Sequence, residues 1–208
     1  SNQEDTLAIF EANANISRGV SYTKPRTICL DTKYDGAVGI SVWTGYAVNV
    51  VSKSGKREVL CGPTTRLLDY DESLEVLELS TGKPKTTDYL FKTVYLRTEN
   101  NKISDIINVQ TKDFVDVQIK VSYCVDFLKD YKDKWFNVEN YIKFLTDRCR
   151  SLMKREAKKH NIQDFYQNAT DITRNVILNI SENTSAADKP STTGRLFKEN
   201  GMMIKDVE

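Results

Sequence analysis

Four cysteines, one histidine and 29 acidic side chains are the raw material for chemistry in this 208-residue chain. A nucleophile needs a base within hydrogen-bond reach, and His160 is the only imidazole available. It stands in the run Lys158, Lys159, His160, Asn161, which reads as a helix end where a solvent-facing cap is the simpler role. Cys29, Cys61, Cys124 and Cys149 form no CxxC pair, and a single histidine leaves them no zinc-binding companion. Asp69, Asp71 and Glu72 crowd together but lack the glycine and distal glutamate of an EF-hand loop, so they read as a β-turn with exposed acids. Gly36, Gly39 and Gly45 do not have the spacing of a loop that cradles phosphate ahead of a helix. A glycosidase-type carboxylate pair needs two acids brought together by the fold, and nothing in the order of residues singles one out. The residues therefore point to no catalytic site, no cofactor and no metal, and the expectation is a protein that is not an enzyme.

Charge and hydropathy narrow the partners. Thirty Lys and Arg against 29 Asp and Glu leave no overall field to hold a phosphate backbone, so direct nucleic-acid binding is not expected. The one dense basic run, Lys154, Arg155, Lys158, Lys159 and His160, falls where cations complement a helix C-terminus and reads as a solvated helix end. No stretch approaches the roughly 18 apolar residues of a membrane-spanning helix, so direct membrane insertion is not expected either. The cysteine usage fits a reduced, cytoplasmic chain. Asn-x-Ser/Thr triplets at Asn15, Asn168, Asn179 and Asn183 carry no meaning without secretion, and no signal peptide stands ahead of them. Ser1-Asn2 has the look of a tag remnant, so a native targeting segment could have been removed.

The elements that would position any site are short. Residues 1–23 read as a loosely attached arm. Strand-like runs follow at 27–30, 37–43, 46–52, 57–60, 66–68 and 74–79, separated by turn signals at Asp35-Gly36, Thr44-Gly45, Ser54-Gly55, Gly62-Pro63 and 69–71. The clearest hairpin joins 46–52 to 56–60 through a loop carrying Gly55. Gly82 and Pro84 punctuate a break that divides a β-module at 24–84 from a second domain at 85–208. That domain opens with strands at 89–96 and 106–109. Then residues 115–127 alternate apolar and polar, the mark of a long strand with one packed and one solvated face. From Asn137, read as an N-cap, the period changes: Tyr141, Ile142, Leu145, Cys149, Leu152 and Met153 make one helical stripe. A second stripe, Phe165, Ala169, Ile172, Val176 and Ile177, ends near Asn179. Residues 181–194 are rich in Ser, Thr, Ala and Asn and read as a flexible loop, and 201–207 as a last strand returning to the sheet.

Aromatic residues are plentiful, with Trp43, Tyr46, Tyr95, Tyr123, Trp135 and Phe136 among them, and most belong in a core. Trp135 and Phe136, just ahead of the first helix, fit core packing, a staple across the helix start, or a contact with a neighbouring subunit. The outer side of that helix, with Lys143, Asp147, Arg148 and Arg150, is a candidate for the same contact, although a solvated helix face is the plainer reading.

The acidic run 71–85, with its Leu-Glu-Val-Leu-Glu-Leu-Ser-Thr-Gly-Lys-Pro core, resembles the passage from the last repeat to the shoulder domain in the major vault protein family. The resemblance continues through 104–113 and the alternating strand, resumes at 164–169 and 172–174, and again at Asn200-Gly201 and the residues after it. Residues 36–68, with a Trp43-Thr44-Gly45-Tyr46 corner and a Gly62-Pro63 turn, are similar to that family's β-repeats. The shoulder is in turn similar to the SPFH (stomatin, prohibitin, flotillin; band-seven) domain. The resemblance implies an α+β fold, a small all-β repeat module followed by an SPFH-like domain whose antiparallel sheet is covered by helices on one face. It also implies a structural subunit that assembles with copies of itself into a vault-like particle, ribonucleoprotein-type or empty. In such a family a long helix follows the shoulder, so the parent protein is expected to be longer at both ends and this chain to be a monomer or weak oligomer. The alternative is an SPFH-type scaffold that organises membrane microdomains or partner proteins.

Overall fold

The computed structural model describes residues 38–180 and 194–208. The arm expected at 1–23, the strand at 27–30, the Asp35-Gly36 turn and all but the last residue of the 181–194 loop lie outside the described residues. Two compact units emerge: 38–77 with Lys92–Thr98, and Glu78–Phe91 with Glu99–Glu208.

The first unit is all β. Its strands are β1 (Gly39–Val42), β2 (Tyr46–Ser52), β3 (Arg57–Cys61), β4 (Thr64–Leu67) and β5 (Glu72–Leu74). The chain continues through β6 (Leu77–Ser80) and β7 (Leu90–Thr93), which pair with each other, to β8 (Leu96–Arg97). β2 is the hub, antiparallel to β3, β5 and β8, while β1 pairs with β4. The expected hairpin closes with Val51 opposite Arg57 and Gly55 at φ +86°, a conformation glycine adopts without a Cβ penalty. Ile40, Val42, Val48, Val50, Val94 and Tyr95 are the buried core. Trp43 departs from the expected burial and is 61% exposed.

Two runs expected as single strands are each split. At 74–79 the ladder to β2 ends at Leu74, and Glu75 is the last point of attachment: its N–H donates to the Asn49 carbonyl (2.9 Å) and its carboxylate accepts from Asn49 Nδ2 and Arg57 Nη2. At 89–96 the Thr93 hydroxyl accepts from Tyr95 N (3.1 Å), a local turn that competes with the ladder and sends Val94 and Tyr95 into the core.

The second unit is a four-stranded antiparallel sheet with helices, and the chain as a whole is sheet-rich with few helices, of the α+β kind. The order is β11 (Arg195–Phe197), β12 (Met202–Val207), β10 (Asp116–Phe127), β9 (Asn101–Gln110). The alternation read at 115–127 is realised in β10, and the register carries it across the sheet: Ile103 lies opposite Tyr123, Ile107 opposite Ile119, and Phe127 opposite Met202. One face thus gathers Ile103, Ile107, Val109, Val121, Tyr123, Val125, Phe127, Met202 and Ile204, all buried. Each such side chain contributes about 1.5–3 kcal/mol relative to exposure.

Against that face lie α1 (Tyr141–Ala157), α2 (Ile162–Gln167) and α3 (Ala169–Leu178), after a 3-10 stretch at Lys129–Lys134. The α1 stripe buries Tyr141, Leu145, Cys149, Met153 and Ala157. The second expected stripe is two helices broken at Asn168, and it ends, as expected, at Asn179, which takes the left-handed C-cap conformation (φ +61°). Gly201 (φ +64°) turns the chain into β12 where a Cβ would stand 2.5 Å from Tyr131 Cβ.

The cap of α1 is Asn140, three residues later than the Asn137 expected. Asn140 Oδ1 accepts from Lys143 N (3.1 Å) and from Ser80 N (3.1 Å), while its Nδ2 donates to Ser80 Oγ (2.9 Å). Asn137 instead reaches the Glu199 carbonyl (3.5 Å). The buried Ser80 selects between two chemically identical candidates. Because Asn140→Ala removes a cap and strands the buried polar groups of Ser80, it should lower stability by about 1–3 kcal/mol in urea unfolding. Asn137→Ala should cost clearly less, and equal losses would refute the assignment.

Candidate functional site

Asp105 occupies an inward position of β9, between Ile103 and Ile107, and its side chain is 0% exposed. A carboxylate taken out of water there needs a full set of partners. Arg150 of α1 supplies most of them: Nε donates to Oδ2 (2.8 Å) and Nη2 to Oδ1 (2.8 Å), the two-pronged geometry that a guanidinium forms with a carboxylate. Lys85 N adds a third bond to Oδ1 (2.9 Å), and the Lys85 carbonyl accepts from Arg150 Nη2 (2.9 Å). Burial works against the Arg150 charge, yet the hydrogen bonds to Asp105 and the nearby Asp147 hold its pKa above the ordinary value.

Arg150 was expected on the solvated side of α1, beside Lys143, Asp147 and Arg148. The structure separates these four. Lys143, Asp147 and Arg150 form one row: Lys143 Nζ pairs with Asp147, and Arg150 Nη1 approaches Asp147 Oδ1 at 3.4 Å. Arg148 lies on an adjoining row, its guanidinium 5.4 Å from the Phe144 ring centroid. Trp135 and Phe136 are 2% and 4% exposed. Trp135 donates through Nε1 to the Leu128 carbonyl (2.9 Å) and packs edge-on against Phe127 at 5.9 Å, so of the roles open to it the structure assigns core packing.

Beside Asp105 the core holds two further titratable groups. Burial pushes the Cys149 thiol up to about 12 and raises the neighbouring Tyr123 hydroxyl as well. Neither is a nucleophile at neutral pH. His160 departs from the expected solvent-facing cap: it is half-buried between two carboxylates, with Nδ1 on Asp164 Oδ2 and Nε2 3.5 Å from Glu156 Oε1. Its carbonyl accepts from Lys112 N (2.9 Å), and Asp113 caps α2 through Ile162 N (3.0 Å), so the β9–β10 turn is fastened to the turn between α1 and α2. Lys159 and then His160 hold Glu156 below the usual carboxylate value, and the His160 hydrogen bond does the same for Asp164. These contacts make a clasp between the two turns. Asp69 and Glu72 form the expected turn (Glu72 N to Asp69 O, 3.0 Å), but Glu72 is tied to Arg66 (2.6 Å). Among the described residues no three His, Cys, Asp or Glu side chains converge to hold a metal ion, and no helix is long and apolar enough to cross a membrane.

Comparison with known proteins follows the second unit. The shoulder-domain family MVP_shoulder matches residues 99–208. Among curated relatives, the chain is 28% identical over 167 residues to the major vault protein of Bos taurus, covering 74% of this chain and 18% of the relative. It is 27% identical to that of Mus musculus, covering 99% of this chain and 23% of the relative. Major vault protein alpha of Dictyostelium discoideum is 25% identical, over 75% of this chain and 18% of the relative. The chain therefore spans about a fifth of the length of the relatives it matches.

Two measurements check the geometry of the core. Arg150→Ala leaves Asp105 buried without its counter-charge and should cost about 3–5 kcal/mol in urea unfolding, whereas Asp105→Leu with Arg150→Met should restore most of that loss. A cost under about 1 kcal/mol for the single change would show that the pair is not an anchor. Thiol labelling of the native protein, read by peptide mass spectrometry, should modify the half-exposed Cys61 and Cys124 and leave Cys149 untouched until the chain unfolds.

Proposed function

The chain belongs to the shoulder-domain family of the major vault protein, and from that membership we infer that it is a structural segment of a vault-type protein with no reaction of its own. The observation that carries this reading is the family match across the whole sheet-and-helix unit, residues 99–208. The chemistry of the buried groups agrees with it. The ionisable groups of the core, Asp105 with Arg150 and Cys149 with Tyr123, are committed to ion-pair and packing contacts.

The finer reading is self-association: copies of the same protein standing side by side, with residues 24–84 as a vault-type repeat ahead of an SPFH-like shoulder at 85–208. The working place is the cytoplasm. Contacts with nucleic acid or insertion into a membrane form no part of this role, and no cofactor is needed. Of the six residues expected at a subunit contact, Trp135 and Phe136 are core and Arg150 is committed to Asp105. Lys143 and Asp147 remain on the outer row of α1 as candidates to meet a neighbour, with Arg148 on the adjoining row.

The test is the native protein that contains these residues, followed by sedimentation and negative-stain imaging. Closed particles of many copies are expected, and uniform monomers across salt conditions would overturn the reading. Exchanging Lys143→Asp together with Asp147→Lys keeps a pair within the helix while reversing the order of charge along its outer row. That double variant should weaken assembly and leave the thermal transition near wild type.

A further inference from the structure

Among the described residues, Arg57 is matched with Glu75, Arg66 with Glu58 and Glu72, Arg150 with Asp105, and Arg174 with Asp206. Three others converge without one. Arg148, Ser151, Leu152 and Arg155 are spaced as i, i+3, i+4 and i+7 and share one side of α1, and with Arg195, Leu196 and Phe197 of β11 they line a concavity of about 460 Å³. Among the described residues no carboxylate forms an ion pair with Arg148, Arg155 or Arg195. Glu199 is the one acid in the lining.

The cluster is ordered. Arg195 donates through Nε to the Ile177 carbonyl (2.9 Å), and through Nη2 to the Val176 carbonyl (2.8 Å) and Asn179 Oδ1 (3.2 Å), so its plane is fixed at the C-terminal end of α3. Its Nη1 takes part in none of these bonds. Burial and the charge of Arg155 together hold the Arg195 pKa below its ordinary value, which means that a second cation lies close enough to be felt. Arg148 rests over the Phe144 ring, which meets Phe197 edge-on at 6.1 Å. Like charges gathered in this way repel, and an anion in the concavity would relieve the repulsion. A planar guanidinium presents paired donors that match phosphate oxygens, and an ordered fork loses less entropy on binding than a free lysine. Leu152, Leu196 and Phe197 offer apolar surface for whatever carries the phosphate, and the volume suits a small molecule.

We propose that this concavity binds a phosphate monoester, with the phosphate held by Arg148, Arg155 and Arg195 and the organic part seated on Leu152, Leu196 and Phe197. The site is independent of the vault-type reading. It also gives the basic run at 154–160 a role beyond a solvated helix end: Arg155 contacts the anion, while Lys154, Lys158 and Lys159 raise its local concentration.

Calorimetric titration of the chain with inorganic pyrophosphate at low ionic strength is the direct test. Saturable binding at one site is expected. Arg155→Gln should weaken it by at least about tenfold, and Arg148→Gln with Arg155→Gln should abolish measurable heat. Both positions are exposed, so their unfolding transitions should match the parent chain. Phosphatidylcholine vesicles with and without a phosphatidylinositol monophosphate identify the source. Recruitment that pyrophosphate reverses assigns the phosphate to a lipid headgroup, and pyrophosphate binding without recruitment assigns it to a soluble ester. Absence of saturable pyrophosphate binding, or equal binding by the arginine variants, overturns the proposal. Particle assembly is not read in this experiment, so its failure leaves the structural reading untouched.

Discussion

The second unit is organised around one buried carboxylate. Asp105 stands where the alternation of β9 calls for an apolar side chain, and its desolvation is tolerable only because Arg150 grips both oxygens and Lys85 N takes a third bond. The consequence is positional. A two-pronged bond fixes the rotation of α1 about its own axis, and with it which residues of the helix face the sheet. Cys149, next to Arg150, then points into the core beside Tyr123, and Leu145 and Met153 follow on the same stripe. Lys85, bound through both its N–H and its carbonyl, fixes the link that precedes the sheet. Asn140 does the same at the helix start, joining its cap to Ser80. Two polar clamps, set on a larger apolar contact, convert a helix that could slide on a greasy face into one with a single register.

Much of this was legible in the order of residues, and the physical reason is period. Residues 115–127 alternate strictly and become β10 at Asp116–Phe127; the stripe from Tyr141 to Met153 becomes the buried side of α1. Such patterns are local, and local patterns survive into the fold. Where pairing partners decide the outcome, the sequence is silent. β9 runs from Asn101, well before the apolar 106–109, because the ladder to β10 extends through Asn101, Lys102 and Ser104, residues that by composition belong to a turn. β11 has three residues beside a Ser- and Thr-rich stretch, too short for any period to show.

The Asp105 anchor was hidden for a related reason. An acid in a strand reads as a marker of the solvated face, and only the register Ile103, Asp105, Ile107, Val109 reveals that this one points inward. That register was available in principle: three apolar residues at period two with an acid in phase with them is a signal for a buried ion pair, provided the strand is recognised as extending back to 101. The partner could not have been chosen in advance. Arg148 and Arg150 are two residues apart on a helix, about 200° around its axis, and the assignment of one to the core and the other to the surface depends on how α1 is rotated.

That rotation gives α1 three distinct sectors. One is the apolar stripe on the sheet. A second is the row Lys143, Asp147, Arg150, in which charges are satisfied in sequence down to Asp105. The third is the row Arg148, Ser151, Arg155, which meets Arg195 and has no acid of its own. The charge balance of the whole chain, 30 basic against 29 acidic residues, conceals this asymmetry, since neutrality overall says nothing about where cations remain unmatched. The same clamp that buries one arginine of α1 against a carboxylate turns its neighbours toward β11, so the unmatched charge follows geometrically from the matched one.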